Sequence, residues 1–156
     1  MDNPSAIRKA TPDDLERIRA IARAAYGKYV ARLGREPAPM LADFAGLTAA
    51  GLAVVAEEHD RIKGYLVGWP ESDAYVIDNI AVDPEYQGQG LGRYLIAYAA
   101  TEARRLRLPA VRLYTNVAMT ENLAMYARMG FVETHRATEH GFQRVYLRWS
   151  LESTAL

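Results

Sequence analysis

A glycine-rich segment, residues 87–93, carries the residue types in this sequence that are best suited to binding phosphate. Glycine lets the backbone approach a ligand closely, and the first N–H groups of a helix have no partner within the helix. Together with the helix dipole, such groups bind anions. A tight turn whose glycines serve only packing would not need three of them in five residues. The segment therefore predicts a pyrophosphate site formed by Gln87, Gly88, Gln89, Gly90, Leu91, Gly92 and Arg93.

Two familiar phosphate loops do not match this segment. A Walker loop ends in Gly-Lys-Ser/Thr, and the segment contains no Lys. The dinucleotide fingerprint needs a glycine at its sixth position, where the two alignments tested place Arg93 and Leu95. What remains is the pattern Gln-x-x-Gly-x-Gly.

Few other residues in the sequence are candidates for catalysis or metal binding. Tyr126 follows Asn122 by four residues, so both lie on one face of a predicted helix; a tyrosine packed in the core is the alternative. The chain has no Cys, which excludes thiolate zinc sites and a cysteine nucleophile. The three histidines show no metal-ligand spacing on one helix face, so we expect no metal site.

The segment between the first two predicted helices, residues 26–40 (the acceptor segment), is difficult to explain as scaffold. Tyr26 and Tyr29 lie beside Arg32 and Arg35 near a loop with two prolines. Rings and guanidinium groups on a loop suit recognition, and arginine pairs with carboxylate or phosphate in two hydrogen bonds. We therefore expect these four residues to bind a substrate that carries an anionic group. The alternative is that the arginines only solvate a helix end.

The elements that must position these residues follow from apolar periodicity and from Gly and Pro breaks. We predict strands at 5–9, 52–58, 62–69, 74–82, 111–115, 131–137 and 142–150. Helices are predicted at about 12–30, about 41–48, from 90 onward, and from 120 to 130. The order βααβββαβαββ indicates a single α/β domain over residues 1–156, with a mixed sheet and a parallel crossover through the helix that follows Gly90.

The glycine-rich segment resembles the coenzyme-A-binding motif of the GNAT superfamily of N-acetyltransferases, Arg/Gln-x-x-Gly-x-Gly/Ala. Val-x-Pro precedes it, and a long helix follows. Further along, the run from Asn122 to Tyr126 and the pair Gly130-Phe131 resemble the family's second signature. Ala124 comes two rather than three residues after Asn122, which is a departure from that signature. The predicted element order also matches the family, so the resemblance implies a GNAT-like, mostly antiparallel sheet flanked by helices.

The resemblance implies roles for several of these residues. The amides of residues 87–93 would bind the pyrophosphate of acetyl-CoA, with Arg93 as an additional cation. The backbone of Ile80 and Val82 would pair with the pantetheine arm, and Asn122 would hold pantetheine or substrate. Tyr126 would donate a proton to the leaving thiolate. For the general base, Asp78 is the best candidate, since it lies mid-strand between apolar residues; Glu57 and Glu58, acting through water, are alternatives.

The resulting prediction is an acetyl-CoA-dependent N-acetyltransferase that works by direct attack in a ternary complex. The alternatives are transfer of another acyl group, an inactive CoA-binding sensor or interaction module, and an acceptor amine on a protein or a charged tRNA. A net charge of zero argues against nucleic acid as partner, so we expect a small-molecule or peptide amine. The lack of a long apolar run or a signal-peptide pattern predicts a cytoplasmic protein without membrane association. Homodimers are frequent in the family, and the sequence leaves the oligomeric state open.

Overall fold

The computed structural model describes residues 5–151. Its strands are β1 (Ala6–Lys9), β2 (Ala53–Glu58), β3 (Arg61–Pro70), β4 (Tyr75–Val82), β5 (Ala110–Asn116), β6 (Val132–Glu139) and β7 (Phe142–Ser150). Its α-helices are α1 (Leu15–Tyr26), α2 (Tyr29–Leu33), α3 (Phe44–Ala49), α4 (Leu91–Arg105) and α5 (Thr120–Met129). Short 3₁₀ helices lie at Pro12–Asp14, Ala38–Leu41 and Pro84–Tyr86.

The strands form one mixed sheet in the order β1-β2-β3-β4-β5-β7-β6, flanked by the helices. Strand β4 pairs with β5 in parallel, whereas the pairs β1–β2, β2–β3, β5–β7 and β6–β7 are antiparallel. A parallel pair needs a crossover connection, and α4 lies in that connection. The predicted fold class and the crossover through the helix after Gly90 are both confirmed.

By its contacts the chain divides into two compact units. One contains the residues up to Gly68 together with 79–96; the other contains 69–78 and the residues from Ala97 onward. Strand β4 and helix α4 each contribute residues to both units.

The first unit holds the amino-terminal helices, β1 to β3 and the glycine-rich segment. Helix α1 buries Ile18, Ile21 and Ala22, as its helical periodicity requires. Gly64 in β3 has no room for a side chain, because a β-carbon there would lie 2.9 Å from the carbonyl oxygen of Ala81. The glycine thus allows β3 to approach the end of β4 closely.

The second unit is organised by the pairing of β5 with β7. Opposite partners include Leu113 with Leu147 and Tyr114 with Tyr146. Because successive side chains alternate between the faces of a sheet, Leu113 and Leu147 share one face, where both are buried. Tyr114 and Tyr146 share the opposite face with Arg144. One face of these strands is therefore apolar and the other is polar and aromatic.

Two predicted helices differ from the observed ones. The helix expected over 12–30 divides into a 3₁₀ turn, α1 and α2, with a break at Gly27, a residue of low helix propensity. The helix expected at 41–48 begins later, at Phe44, where the side chain of Asp43 accepts a hydrogen bond from the amide of Gly46. The residues before it form the 3₁₀ turn Ala38–Leu41 instead, which contains Pro39.

Both predicted hairpins are present, and each has a two-residue turn. His59 and Asp60 join β2 to β3 with φ of 53° and 60°, and His140 and Gly141 join β6 to β7 with φ of 53° and 79°. Two consecutive left-handed residues are the conformation that matches the twist of a two-residue hairpin.

Candidate active site

The glycine loop (residues 87–93) leads directly into α4. Gly88 and Gly90 have φ of 82° and 80°, a region that favours glycine. In the described part of the chain, a β-carbon at Gly88, Gly90 or Gly92 would have no atom within 4 Å beyond its chain neighbours. Residues 87–90 are exposed. The backbone here is open to a ligand rather than packed against another element, as a phosphate site requires.

The start of α4 supplies amide donors at the end of this loop. The amide of Tyr94 donates to the carbonyl of Gly90 at 3.0 Å. The amides that precede it in the first turn of a helix have no partner within the helix. At 15 residues, α4 carries a full helix dipole. The amides of Leu91, Gly92 and Arg93 therefore lie at the positively polarised end of a long helix.

Polar contacts hold the loop's entrance in place. Asp83 accepts a hydrogen bond from the amide of Glu85 at 2.9 Å and forms an ion pair with Arg17 at 2.5 Å. The Gln87 side chain donates to the carbonyl of Val82 at 3.2 Å, so it joins the end of β4 to the loop. Lys63 lies over the ring of Tyr86, 4.7 Å from its centroid. This cation at the loop was not predicted, since only the strand pairing brings β3 beside it.

Asp78 lies in the second unit, in a half-buried position at the edge of the polar face. Strand β4 pairs Ile77 with Leu113, so the next residue of each strand, Asp78 and Tyr114, are neighbours. Burial raises the pKa of the Asp78 carboxyl, and the positive charge of Arg144 offsets part of that rise. Burial and the charge of Asp78 in turn raise the pKa of Tyr114. A carboxylate with a raised pKa suits a general base.

Arg144 is held at the centre of this face by two kinds of contact. Its guanidinium lies over the ring of Tyr114, 4.3 Å from the centroid, and its Nη1 donates to Oε1 of Glu139 at 3.1 Å. The hydroxyl of Tyr146 also donates to Glu139. We refer to Asp78, Tyr114, Glu139, Arg144 and Tyr146 as the polar cluster. Only Asp78 was predicted; alternation along β5 and β7 is the signal that would have found Tyr114, Arg144 and Tyr146.

The alternative bases, Glu57 and Glu58, are both engaged in ion pairs. Glu57 accepts two hydrogen bonds from Arg8, which lower the pKa of its carboxyl. Glu58 pairs with Lys63. Both alternative carboxylates are therefore already engaged by a cation in the structure.

Tyr126 lies on α5, four residues after Asn122, as the spacing predicted. Its side chain is buried, with 5% exposure, and its ring meets that of Phe131 edge-on at 5.5 Å. Asn122 is half-buried, and its Nδ2 lies 3.7 Å from the sulfur of Met119. Gly130, with φ of 106°, ends the helix and turns the chain so that Phe131 follows directly. The Tyr126 ring is thus rigidly placed.

The acceptor segment separates into buried rings and exposed cations. Tyr26 is buried, and its hydroxyl donates to the carbonyl of Ile80 at 2.5 Å. Tyr29 is also buried, with the guanidinium of Arg32 over its ring at 5.0 Å. Arg32 and Arg35 themselves are exposed. The guanidinium groups are therefore the part of this set presented to solvent, while the tyrosines support the segment.

Among the described residues, 5–151, no three histidine, aspartate or glutamate side chains form a group that could hold a metal ion. None of the helices among them is long and apolar enough to span a membrane.

Comparison with known proteins finds N-acetyltransferases among the relatives. Residues 15–131 match the model of the acetyltransferase (GNAT) family. The ribosomal protein bS18-alanine N-acetyltransferase of Escherichia coli K12 is 36% identical over 76 residues, covering 49% of this chain and 51% of that protein. The peptidyl-lysine N-acetyltransferase YjaB of Salmonella typhimurium is 30% identical over 98 residues, covering 63% and 60%. The chain thus spans about half to three-fifths of the length of these relatives.

The fold is shared with solved structures. The PaiA N-acetyltransferase of Thermoplasma acidophilum, determined in complex with coenzyme A, superposes with a TM-score of 0.76 at 17% identity. That match covers 94% of this chain and 99% of the other, and at such low identity it shows the fold alone. The family match extends over three quarters of the chain, from α1 to Phe131, and includes both motifs noted in the sequence. It confirms the resemblance: the chain belongs to the acetyltransferase (GNAT) family.

Proposed function

We propose that this chain is an N-acetyltransferase that moves an acetyl group from acetyl-CoA to an amine by direct attack in a ternary complex. The glycine loop is the observation that carries the proposal. Two left-handed glycines expose backbone directly ahead of the amide donors of α4. A pyrophosphate is an anion suited to such donors. The coenzyme A in a solved structure of the same fold supports this choice of ligand.

The residues at the loop suit each part of that ligand. The amides of residues 87–93 would donate to the pyrophosphate oxygens, and the exposed Arg93 would add a positive charge. The backbone of Ile80 and Val82 would orient the pantetheine arm, and Asn122 would hold pantetheine or the acceptor. When bound, acetyl-CoA supplies an acetyl group activated as a thioester.

Two side chains would handle the protons. Asp78 would accept the proton that the acceptor nitrogen must lose before it attacks, since an alkylammonium has a pKa near 10. Tyr126 would donate its hydroxyl proton to the thiolate sulfur as the new amide bond forms. The positive charge of Arg144 would favour the ionised form of Asp78, which is the form that can act as a base.

The acceptor is proposed to be a small-molecule or peptide amine. The relatives named above act on a ribosomal-protein alanine and on peptidyl lysine, so an amine on a protein belongs in this class. Exposed Arg32 and Arg35 favour an acceptor with a carboxylate or phosphate near its amine. A cytoplasmic location is proposed with it, and a homodimer stays a prediction.

The experiment that tests the proposal is a thiol-release assay with acetyl-CoA and a panel of acceptors. The panel includes polyamines, amino acids, aminoglycosides and peptides with a free N-terminal alanine or an internal lysine. Acetyl-, propionyl- and succinyl-CoA are compared on the best acceptor. Binding of acetyl-CoA without turnover on any acceptor would instead support an inactive CoA-binding module.

The arginine contribution can be measured on the best acceptor. Arg32→Ala and Arg35→Ala should each raise its KM by about tenfold, the value of one charge-assisted hydrogen bond of about 1.5 kcal/mol, with the KM for acetyl-CoA unchanged. Arg107→Ala, a change at another exposed arginine, serves as the control. Unchanged constants in both variants, or a polyamine as best acceptor, would remove the anionic group from the proposed acceptor.

A further inference from the structure

Both ends of the acceptor segment are hydrogen-bonded to consecutive residues of β4. At one end, the Tyr26 hydroxyl donates to the carbonyl oxygen of Ile80 at 2.5 Å. At the other, Nδ2 of Asn79 donates to the carbonyl oxygen of Pro39 at 3.1 Å. The first bond runs from the segment to the strand and the second from the strand to the segment. Residues 26–40 are thus attached to one short stretch of β4 at two points.

The side chains that donate these two bonds are buried, and neighbouring groups orient the amide of Asn79. Tyr26 and Asn79 are 8% and 3% exposed. The hydroxyl of fully buried Tyr65 donates to Oδ1 of Asn79 at 2.8 Å, which directs Nδ2 of the same amide toward Pro39. The ring of Tyr65 in turn meets Phe44 of α3 edge-on at 5.4 Å. A buried amide with both ends bonded has one favoured orientation, so this attachment is rigid.

Between the two attachment points the segment also makes contacts of its own, among them the buried ring of Tyr29. It contains two prolines, which lack an amide donor. Its own backbone bonds are local: the amide of Gly34 donates to the carbonyl of Val30 at 2.8 Å, and that of Met40 to Pro37 at 3.0 Å. Because Tyr26 and Pro39 are bonded to Ile80 and Asn79, a shift of β4 at these two residues would displace both ends of the segment.

We propose that Tyr26 and Asn79 are positioning residues that couple the acceptor segment to the acyl-CoA-binding stretch of β4. This rests on the proposed function, which assigns the backbone of Ile80 to the pantetheine arm. A ligand bonded to that backbone restrains the strand, and the two side chains transmit the restraint to residues 26–40. Because coupling between two sites is reciprocal, an acceptor bound to the segment would also strengthen acyl-CoA binding.

Hydrogen exchange of the full chain, with and without saturating acetyl-CoA, tests this coupling. In the unmodified protein, acetyl-CoA should slow exchange in the glycine loop and also at the amides of Gly34 and Met40. In Tyr26→Phe and in Asn79→Ala, the slowing at Gly34 and Met40 should fall by at least about fivefold, the lower end of typical coupling, while the glycine loop stays protected. Tyr98→Phe is the control, a tyrosine of α4 outside the segment, and should behave like the unmodified protein.

The outcomes separate the two proposals. Protection of Gly34 and Met40 that is equal in the unmodified protein and in both variants would overturn the coupling, and so would a segment that acetyl-CoA never protects. Absence of protection in the glycine loop of the unmodified protein would overturn the proposed function, and the coupling with it. Tyr26→Phe removes a single hydroxyl, so it keeps the test decisive if Asn79→Ala does not fold.

Discussion

At the scale of single residues, Tyr126 is the side chain whose chemistry and packing are hardest to separate. It is buried against Phe131 like a core residue, yet its place on α5 resembles that of the tyrosine in the family's second signature. Tyr126→Phe should leave acetyl-CoA affinity unchanged and lower kcat by about 10²–10⁴-fold, the range for a positioned acid. Single-turnover kinetics and calorimetry measure the two quantities. Equal kcat in both proteins would make Tyr126 a core residue, and Tyr98→Phe controls for loss of a phenol elsewhere.

Asp78 combines a proposed catalytic role with a cost in stability. Burial raises its pKa above the ordinary 3.8, so the folded state binds its proton more tightly than the unfolded chain does. The stability contributed by this tighter proton binding is complete at pH below the unfolded pKa and is lost as the pH rises through the folded pKa. Asp78→Asn should therefore raise Tm at pH 7, by an amount that shrinks toward pH 4, and lower kcat by about 10²–10⁴-fold.

The pH profile of kcat/KM distinguishes a catalytic role of Asp78 from a structural one. Arg144→Gln removes the positive charge that offsets burial at Asp78, so the acidic limb of the kcat/KM profile should move to higher pH. Arg144 and Tyr114 interact electrostatically with Asp78, while Glu139 bonds to Arg144 and to Tyr146. Asp60→Asn, at an exposed hairpin tip, should change neither Tm nor the profile. A Tm for Asp78→Asn below that of the unmodified protein would contradict the argument.

The polar cluster also shows which site residues can be found from sequence. Glycines in a strand-to-helix turn are a local signal, so Gly88 and Gly90 could be predicted without knowledge of the fold. Arg144 and Glu139 could not, because they approach Asp78 only through the parallel pairing of β4 with β5 and the antiparallel pairings of β7. Pairing of distant strands leaves no fixed spacing in the chain.

At the scale of elements, the turn into α4 is where backbone conformation and ligand binding coincide. Gly90→Val places a β-branched residue at φ of 80° and puts methyl groups where the ligand would approach. We expect acetyl-CoA binding, measured by calorimetry, to be lost. Gly51→Val is a matched control, since Gly51 also has a left-handed φ, of 76°, with open space around it, and lies before β2. The Gly51→Val variant should bear the same backbone strain and still bind acetyl-CoA. Equal affinity for acetyl-CoA in the two variants would exclude the glycine loop as its binding site.

The amino-terminal helices show the limit of periodicity at this scale. Apolar spacing continued through Gly27, and the expected helix therefore ran to residue 30. In the structure the chain turns at Gly27, and Tyr29 begins a separate short helix that ends at Gly34 with φ of 73°. Helical spacing predicts which residues are buried, and Tyr26 and Tyr29 are both buried, but it does not reveal the two-residue break at Gly27 and Lys28. The break is what places Tyr26 at an end of α1, where its hydroxyl reaches Ile80.

At the scale of the whole molecule, the order of elements is the part best predicted from sequence, because each element has its own periodicity and its own breaks. The balanced charge has a consequence at this scale as well. With nineteen basic and nineteen acidic residues, no net field attracts an anion to the chain. Binding of an anionic ligand must then depend on local donors, and the proposed donors are the amides of the glycine loop.

This reasoning predicts how ligands should stabilise the folded protein. A ligand that binds only the folded state at a hundred times its Kd adds about 2.7 kcal/mol, which for a chain of this size raises Tm by about 5–10 °C. Acetyl-CoA and CoA should reach this value. At equal concentration, ADP should raise Tm more than adenosine does, because the loop amides bind the pyrophosphate that adenosine lacks. Scanning calorimetry over a concentration series measures all four, and Gly90→Val should abolish the difference between ADP and adenosine while Gly51→Val preserves it. Equal shifts for ADP and adenosine in the unmodified protein would mean that the loop amides do not bind the pyrophosphate.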